Sequence, residues 1–293
     1  MTNINPLPAT PGLIALCADD YGYRPGVSTA IRRLAERGRL SATSALVTFP
    51  DWARAGAEID GLAAQVDVGL HLDFVEGKPL ASARALAPAG RFPGINRLIL
   101  MALSHRLPLQ EVRDEAFRQA DAFLKATGRL PDFIDGHQHA HALPGICTIT
   151  ADLAVALRPG DPLPVRVPGE KWGRIVARRT ALAKALSIAM LTKGMAPAAS
   201  ARGVPVNAGF SGIYDFSAAG RLPDVFSSFV RHLGARPLVM CHPGDRDASA
   251  EVADPITAAR QREADYLASD DFVQLLEREN LRIDRFTRLA AIA

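Results

Sequence analysis

The segment Gly12-Leu-Ile-Ala-Leu-Cys-Ala18, followed at once by Asp19-Asp20-Tyr21-Gly22, is the part of the sequence that best predicts the fold. An unbroken apolar run of this length is typical of a strand that is buried on both faces, as in a parallel sheet covered by helices. Pro25 then begins a helical pattern that Gly38 ends. A buried strand followed by a helix is the repeating unit of a parallel α/β fold.

The same alternation continues along the chain. Further strands are predicted at Thr43–Phe49, Asp67–Asp73, Asp132–His141, Pro164–Pro168, Asn207–Gly212 and Pro237–His242, with helical patterns between them. About seven such units without a linker favour a (β/α) barrel over an open sheet. We expect residues 12–293 to form this single domain, and residues 1–11, which include three prolines, to form a flexible N-terminal arm.

The composition excludes several classes of protein. Hydrophobic residues make up 48% of the 293 residues and charged residues 22%, which indicates a globular protein with a large core. A net charge of +3, no long basic run and 6% aromatic residues argue against nucleic-acid binding. Three widely spaced cysteines fit a reducing cytosol, and the N-terminus does not resemble a signal peptide, so we expect a cytoplasmic protein.

Five predicted strands end in acidic, histidine or arginine residues. In chain order these are Asp19 and Asp20, His71 and Asp73, Asp135 and His137, Arg166, and His242. In a parallel barrel these strand ends meet on the face that carries the active site. Carboxylates and imidazoles are ligands of divalent metal ions, so the pattern favours metal-assisted hydrolysis. A buried Arg166 should pair with a carboxylate on this face.

The segment Asp132-Phe-Ile-Asp-Gly-His-Gln-His-Ala-His141 holds three of the seven histidines of the chain. Alternate side chains of a strand share one face. If the whole segment is a strand, Asp135, His137, His139 and His141 converge on one side. A single strand cannot surround a metal ion, so further ligands must come from elsewhere.

Each of these residues also has a simpler explanation, and these explanations stay open at this point. Asp19 and Asp20 could cap the helix that follows them. Asp73 fits a turn equally well, His71 could be a core histidine with its hydrogen bonds satisfied, and His242 could form a structural corner before Pro and Gly. A functional site is favoured because so many strands deliver such residues to one face.

Four motifs together resemble the YdjC-like carbohydrate deacetylases, a family that includes chitooligosaccharide deacetylases and hopanoid-biosynthesis-associated proteins. They are Ala18-Asp-Asp-Tyr-Gly22, Val68-Gly-Leu-His-Leu72 with Glu76-Gly-Lys-Pro-Leu80, Asp135-Gly-His-Gln-His-Ala-His141 and Met240-Cys-His-Pro-Gly244. The resemblance runs from about residue 12 to about residue 286. Tyr21 stands where the family usually has Phe, and residues 170–215 match no motif of the family.

The resemblance implies a distorted TIM-like (β/α) barrel with about seven parallel strands inside and helices outside. It also implies a metal-dependent deacetylase that removes the N-acetyl group of an acetylated amino sugar or oligosaccharide and releases acetate. One divalent metal ion, Mg²⁺ or Zn²⁺, would be held by Asp20, His71 and His137.

The resemblance further implies roles for other residues. Asp19 would be the general base that takes a proton from water, and His242 would be the general acid toward the leaving amine. Residues that would support the metal ligands or contact the substrate are His139, His141, Arg166 and Asp135.

Two other interpretations remain. A phosphoester hydrolase on a similar barrel usually needs two metal ions, and His139 and His141 could supply extra ligands. A binding protein at a membrane surface could use the basic, Ala-rich segment at 170–203, although such a segment is more often a packed helix with a solvated basic face.

Overall fold

A parallel sheet forms the centre of the protein, which the computed structural model describes over residues 10–247 and 254–291. Its strands are Gly12–Tyr21 (β1), Ala42–Ala45 (β2), Asp67–Leu72 (β3), Ile134–Gly136 (β4), Phe210–Ser211 (β5), Leu238–Cys241 (β6) and Leu281–Ile283 (β7). The strand order is β4-β3-β2-β1-β6-β5, and β7 pairs with the first residues of β1. Of the predicted N-terminal arm, residues 1–9 lie outside the described ranges.

The sheet curls into an incomplete barrel. Single parallel bridges from Ile134 to Val165 and from Val165 to Val206 continue the ring from β4 toward β5. The prediction of a distorted TIM-like barrel with about seven parallel strands is therefore confirmed. The predicted strand at Pro164–Pro168 is wrong, because this segment contributes only the bridges at Val165. Its two prolines have no N–H to donate to a strand ladder.

Helices follow most strands and pack around the sheet. Within the described ranges they are Pro25–Glu36 (α1), Trp52–Ala57 (α2), Ile59–Gln65 (α3), Ile95–Leu103 (α4), Leu109–Thr127 (α5), Ile146–Leu157 (α6), Trp172–Arg178 (α7), Leu182–Leu191 (α8), Met195–Ser200 (α9), Leu222–Phe229 (α10), Thr257–Ala268 (α11), Asp270–Arg278 (α12) and Phe286–Ala291 (α13). Gly128 ends α5 with a φ of 67°, a conformation that favours glycine. None of the helices in the described part of the chain has the length and apolar character needed to cross a membrane.

The basic segment at 170–203 consists of the three short helices α7, α8 and α9. Ile175 of α7 and Ala185 and Ala189 of α8 are buried in a common core cluster. The segment is therefore packed against the barrel along one face, as expected for an amphipathic helical region.

The histidine segment does not continue β4. This strand ends at Gly136, and residues His137–Ala142 form a 3-10 helical turn. Gln138 and His139 have φ values of 50° and 61°, which interrupt the alternation of side chains along a strand. The prediction that three histidines and the preceding aspartate share one strand face is therefore wrong.

Gly136 is the position on which this change of direction depends. The chain folds back so closely that a Cβ atom at residue 136 would lie 2.8 Å from the Cβ of His141 and 2.9 Å from the carbonyl oxygen of Leu72. Only glycine allows this approach without a shift of the backbone.

We therefore expect Gly136→Ala to lower the free energy of unfolding by about 1–3 kcal/mol, the usual cost of an overpacked site. Gly61→Ala is the matched control, because Gly61 lies in α3 with open space around its Cα. That change should be neutral or stabilise by about 0.4–1 kcal/mol. Urea unfolding of both variants measures the difference in their stability. Equal unfolding midpoints for the two variants would contradict the expected steric clash at residue 136.

Candidate active site

A β-bulge at the end of β1 places two successive carboxylates in the same cavity. Ala18 pairs with Thr43, but the next pair is Tyr21 with Ala45, so Asp19 and Asp20 together face one residue of β2. Asp20 has a φ of 75°, a conformation that non-glycine residues rarely adopt. In a regular strand the two side chains would point to opposite faces. The bulge therefore redirects a side chain and lets both carboxylates line the cavity.

Asp20, His71 and His137 converge at the wall of this cavity. The Oδ1 atom of Asp20 lies 3.0 Å from Nδ1 of His137 and 3.4 Å from Nε2 of His71. All three side chains are buried, and their candidate ligand atoms lie within 4.8 Å of one another. One carboxylate oxygen and two imidazole nitrogens form a donor set that suits a divalent transition metal ion. The residues that the resemblance implied as ligands are thus brought together.

The parallel register between β3 and β4 determines the orientation of His71. His71 pairs with Asp135, whose Oδ1 atom is 2.6 Å from the Nδ1 atom of His71. The hydroxyl of Ser44 is 2.9 Å from the same nitrogen. This leaves Nε2 of His71 facing Asp20. Burial lowers the pKa of His71, but the charge of Asp135 and the hydrogen bonds to Asp135 and Asp20 together outweigh burial, and the pKa rises to about 9.

Arg166 lies between two carboxylates below the cavity. Its guanidinium donates to both oxygens of Asp19, at 2.8 and 3.0 Å, and its Nη2 atom is 2.8 Å from Oδ2 of Asp135. Arg166 is 0% exposed. This is the carboxylate pairing expected for a buried arginine. Cys17, Asp19 and Asp135 also lie close enough to one another to hold a metal ion, but the guanidinium of Arg166 already bridges the two carboxylates.

His242 follows β6 and faces Asp19 across the cavity. Its Nε2 atom is 3.9 Å from Oδ2 of Asp19, and its ring meets Phe216 edge-on. The main-chain N–H of His242 donates to Glu263 of α11 at 2.7 Å. Glu263 therefore holds the backbone of His242 and not its imidazole. Burial lowers the pKa of His242 to about 4.

The other two histidines of the segment lie in different places. His139 lines the cavity, and its ring meets Phe210 edge-on. His141 is completely buried, and its Nε2 atom is 2.8 Å from the carbonyl oxygen of Arg166. Burial lowers the pKa of both imidazoles. His141 therefore contacts the main chain of Arg166 and is not among the residues that line the cavity.

The cavity has a volume of about 500 Å³. Carboxylates and histidines described above form part of its polar lining. Aliphatic side chains also line it, among them Ile95 and Ile99 from α4 and Ile188 and Leu191 from α8. Asp73, at the end of β3, does not line the cavity. It is a buried turn residue whose Oδ1 accepts hydrogen bonds from the N–H groups of the loop that follows.

Two residues of the site were not predicted from the sequence. Arg260 of α11 donates to Oδ2 of Asp20 and to Oδ2 of Asp254, both at 2.7 Å. Glu76 lies 3.1 Å from Nε2 of His137. The motif that begins at Glu76 contributes to the family resemblance but indicates no role for the residue. Arg260 stands in a charged helical pattern, where only its spacing of three residues from Glu263 could have drawn attention to it. In the structure both residues are buried.

The fold and the site define a (β/α)-barrel protein with a candidate metal centre of one carboxylate and two imidazoles. The chain belongs to the YdjC-like family, because the model of the family described as "YdjC-like protein" matches residues 13–278.

The chain is also similar to proteins with assigned names. It is 33% identical over 144 residues to a carbohydrate deacetylase of Mus musculus, covering 47% of this chain and 46% of that protein. It is 33% identical over 150 residues to a chitooligosaccharide deacetylase of Escherichia fergusonii, covering 50% of this chain and 58% of that protein. The matched region thus spans about half the length of these relatives.

A solved structure shows the same fold. It is a protein of Enterococcus faecalis that bears the provisional name cellobiose-phosphate cleavage protein, and it is 23% identical to this chain. The superposition covers 96% of this chain and 99% of that chain, with a TM-score of 0.71.

The raised pKa of Glu263 predicts that the free energy of unfolding depends on pH. Burial raises the pKa of this carboxyl to about 7, against the smaller opposing effects of the hydrogen bonds from Tyr214 and from the N–H of His242. A raised pKa in the folded state means that the protonated form is favoured by folding. The stabilisation is therefore complete at acidic pH and is lost as the pH rises through about 7.

We expect Glu263→Gln to remove this loss because it removes the titrating group. Its amide oxygen can still accept from the N–H of His242, and its NH2 group can donate to the hydroxyl of Tyr214. Compared with the variant, the wild-type chain should lose up to about 3 kcal/mol of unfolding free energy between pH 5 and pH 8. Chemical unfolding at a series of pH values measures it. Glu277→Gln, at an exposed position of α12, is the control and should follow the wild type. Parallel curves for Glu263→Gln and the wild type would refute the expectation.

Proposed function

We propose that this protein is a metal-dependent deacetylase that hydrolyses the N-acetyl group of an acetylated amino sugar or oligosaccharide and releases acetate. The observation that carries the proposal is the juxtaposition, in one cavity, of a carboxylate–imidazole cluster with Asp19 and His242. The names of the mouse and Escherichia fergusonii relatives support the substrate class. Buried free cysteines, which fit a reducing compartment, support a cytoplasmic location.

Asp20, His71 and His137 would hold the metal ion. Of the two ions implied by the resemblance, Zn²⁺ suits two imidazoles and one carboxylate better than Mg²⁺, which prefers oxygen ligands and retains its waters. When bound, a divalent ion polarises a carbonyl and makes water a stronger acid.

Asp19 is placed to accept a proton from water. Arg166 binds both of its oxygens, so the carboxylate has one fixed orientation at the cavity wall. Such a fixed group supports proton transfer to a defined atom. Water adds to the acetyl carbon while Asp19 takes one proton of that water. The C–N bond breaks afterwards, when the nitrogen is protonated.

His242 is placed to protonate the amine that leaves. Because its pKa lies near 4, the ring is neutral at neutral pH and has to take up a proton before it can donate one. Oδ2 of Asp19 is 3.9 Å from Nε2 of His242, so the two groups face the same part of the cavity and can reach neighbouring atoms of one reacting amide. The C–N bond breaks as His242 gives its proton to the nitrogen, and Asp19 gives up the proton that it took from water, so both groups return to their starting protonation states. The products are acetate and the amine, which takes up the remaining proton of the water.

We expect Asp19→Asn to keep the metal ion and to lower the rate of acetate release by roughly 10²–10⁴-fold, the usual contribution of a general base. His137→Ala should instead lose the metal ion, because it removes one of the three ligand groups. The measurements are elemental analysis of purified protein and acetate release from N-acetylglucosamine and its oligomers.

His105→Asn is the control for loss of a histidine, because His105 is exposed and asparagine tolerates its φ of 56°. It should change neither quantity. Melting curves identify variants that fail to fold, which matters for Asp19→Asn because it leaves Arg166 with one carboxylate partner fewer. Equal metal content in His137→Ala and the wild type would disprove the ligand assignment, and full activity of Asp19→Asn would disprove the assignment of the base.

A further inference from the structure

Both candidate imidazole ligands contact a second carboxylate through their other ring nitrogen. Nδ1 of His71 lies 2.6 Å from Asp135, and Nε2 of His137 lies 3.1 Å from Oε2 of Glu76. The two carboxylates differ in their surroundings. Asp135 is completely buried beside Arg166, whereas the side chain of Glu76 is 35% exposed and lines the cavity.

Glu76 is held in place at both ends. The hydroxyl of Tyr23 donates to its Oε1 atom at 2.9 Å, and its own main-chain N–H donates to Oδ1 of Asp73 at 3.0 Å. Tyr23 is itself buried and packs edge-on against Phe49. One oxygen of Glu76 is therefore bound by Tyr23, and the other is directed at His137.

These contacts determine which nitrogen of His137 carries hydrogen when the other nitrogen is a metal ligand. Both nitrogens face carboxylates, which accept hydrogen bonds only, and Nδ1 is the one that faces Asp20. With Nδ1 as the ligand atom, the neutral imidazole keeps Nε2–H and donates it to Glu76, and its Nδ1 carries the lone pair. The side-chain nitrogen of Gln138 is 3.5 Å from Nε2, too far for a good hydrogen bond. The lone pair on Nδ1 then faces Oδ1 of Asp20 at 3.0 Å. Two acceptors at this distance repel each other unless a cation lies between or beside them.

We propose that Glu76 is a positioning residue for the metal centre, anchored by Tyr23, that fixes the ring orientation and tautomer of His137. The proposal rests on the proposed assignment of His137 as a metal ligand. A carboxylate behind a metal-bound histidine makes the imidazole a better donor, and loss of such a partner typically weakens metal affinity by about 10–100-fold. Glu76 acts through His137 and takes no part in the bond changes of the reaction.

The test measures metal affinity and needs no turnover. The wild-type chain and its variants are stripped of metal and titrated with Zn²⁺ in competition with a chromophoric chelator. Co²⁺ titrations add the visible absorption spectrum, which reports the ligand geometry. Thermal melting of the metal-free proteins shows whether each variant is folded.

Three substitutions separate positioning from simple charge. Glu76→Gln loses the charge but keeps an oxygen that accepts from Nε2–H, and we expect about a tenfold weaker Zn²⁺ affinity. Glu76→Asp keeps the charge but is one methylene too short to contact both Tyr23 and His137, and it should weaken affinity at least as much. Tyr23→Phe removes only the anchor and should weaken affinity a few-fold. Asn96→Ala, which alters another residue of the cavity wall, should bind Zn²⁺ like the wild type.

Several outcomes would overturn the proposal. Wild-type affinity in both Glu76→Gln and Glu76→Asp, together with loss of Zn²⁺ in His137→Ala, would overturn it and leave the metal site intact. Wild-type affinity in Glu76→Asp alone would show that charge, not position, is what matters. Failure of the wild-type chain to bind Zn²⁺ or Co²⁺ would overturn it together with the ligand assignment on which the proposed function rests.

Discussion

The pairing of Arg166 with Asp19 and Asp135 is the interaction on which the organisation of the site depends. A buried guanidinium without partners costs several kcal/mol, so the barrel can bury Arg166 only if carboxylates lie on either side of it. Asp19 thereby acquires a fixed orientation toward the cavity. Asp135 forms an ion pair with Arg166 through one oxygen and contacts His71 with the other, so the same ion pair also orients a candidate metal ligand. The proposed base and the proposed metal centre are therefore parts of one network of hydrogen bonds and ion pairs.

Backbone geometry supplies the second constraint. Parallel register places His71 beside Asp135, and the bulge at the end of β1 lets adjacent carboxylates enter the same cavity. The positive φ of Asp20 is an unfavourable conformation of the kind that persists where surrounding contacts determine it. Arg260 provides such a contact, because it holds Oδ2 of Asp20 and leaves Oδ1 facing the two imidazoles. The bend after Gly136 has the same effect on the histidine segment, since it sends His137 to the cavity and His141 to the backbone of Arg166.

Strand ends were predictable from sequence, and the contacts that support them were not. An apolar run that stops at a polar residue marks the end of a buried strand, which is why the residue pattern alone assigns Asp20 and His71 to one face. The turn after Gly136 depends on positive φ values at Gln138 and His139, and neither residue type signals them. Glu76 and Arg260 reach the site from a loop and a helix, where residue spacing does not indicate which side chains meet a strand end. Loops and helices approach the strand ends through tertiary packing, and a single sequence does not reveal it.

Charge balance explains why a divalent cation suits this cluster. The cluster contains four carboxylates, one of them the candidate ligand Asp20, and two guanidinium groups, which leaves two negative charges in excess when the histidines are neutral. These groups are Asp19, Asp20, Asp135, Glu76, Arg166 and Arg260. Arg260 also contacts a fifth carboxylate, that of Asp254. It is left out of this count because it lies 3.9 Å from the guanidinium of Arg24, which balances its charge. The same excess raises the pKa of His71 to about 9 and that of His137 to about 10, although burial alone would lower both. The cluster therefore favours the addition of two positive charges. A divalent ion supplies them in place of two protons, so metal binding and protonation compete for the same nitrogens.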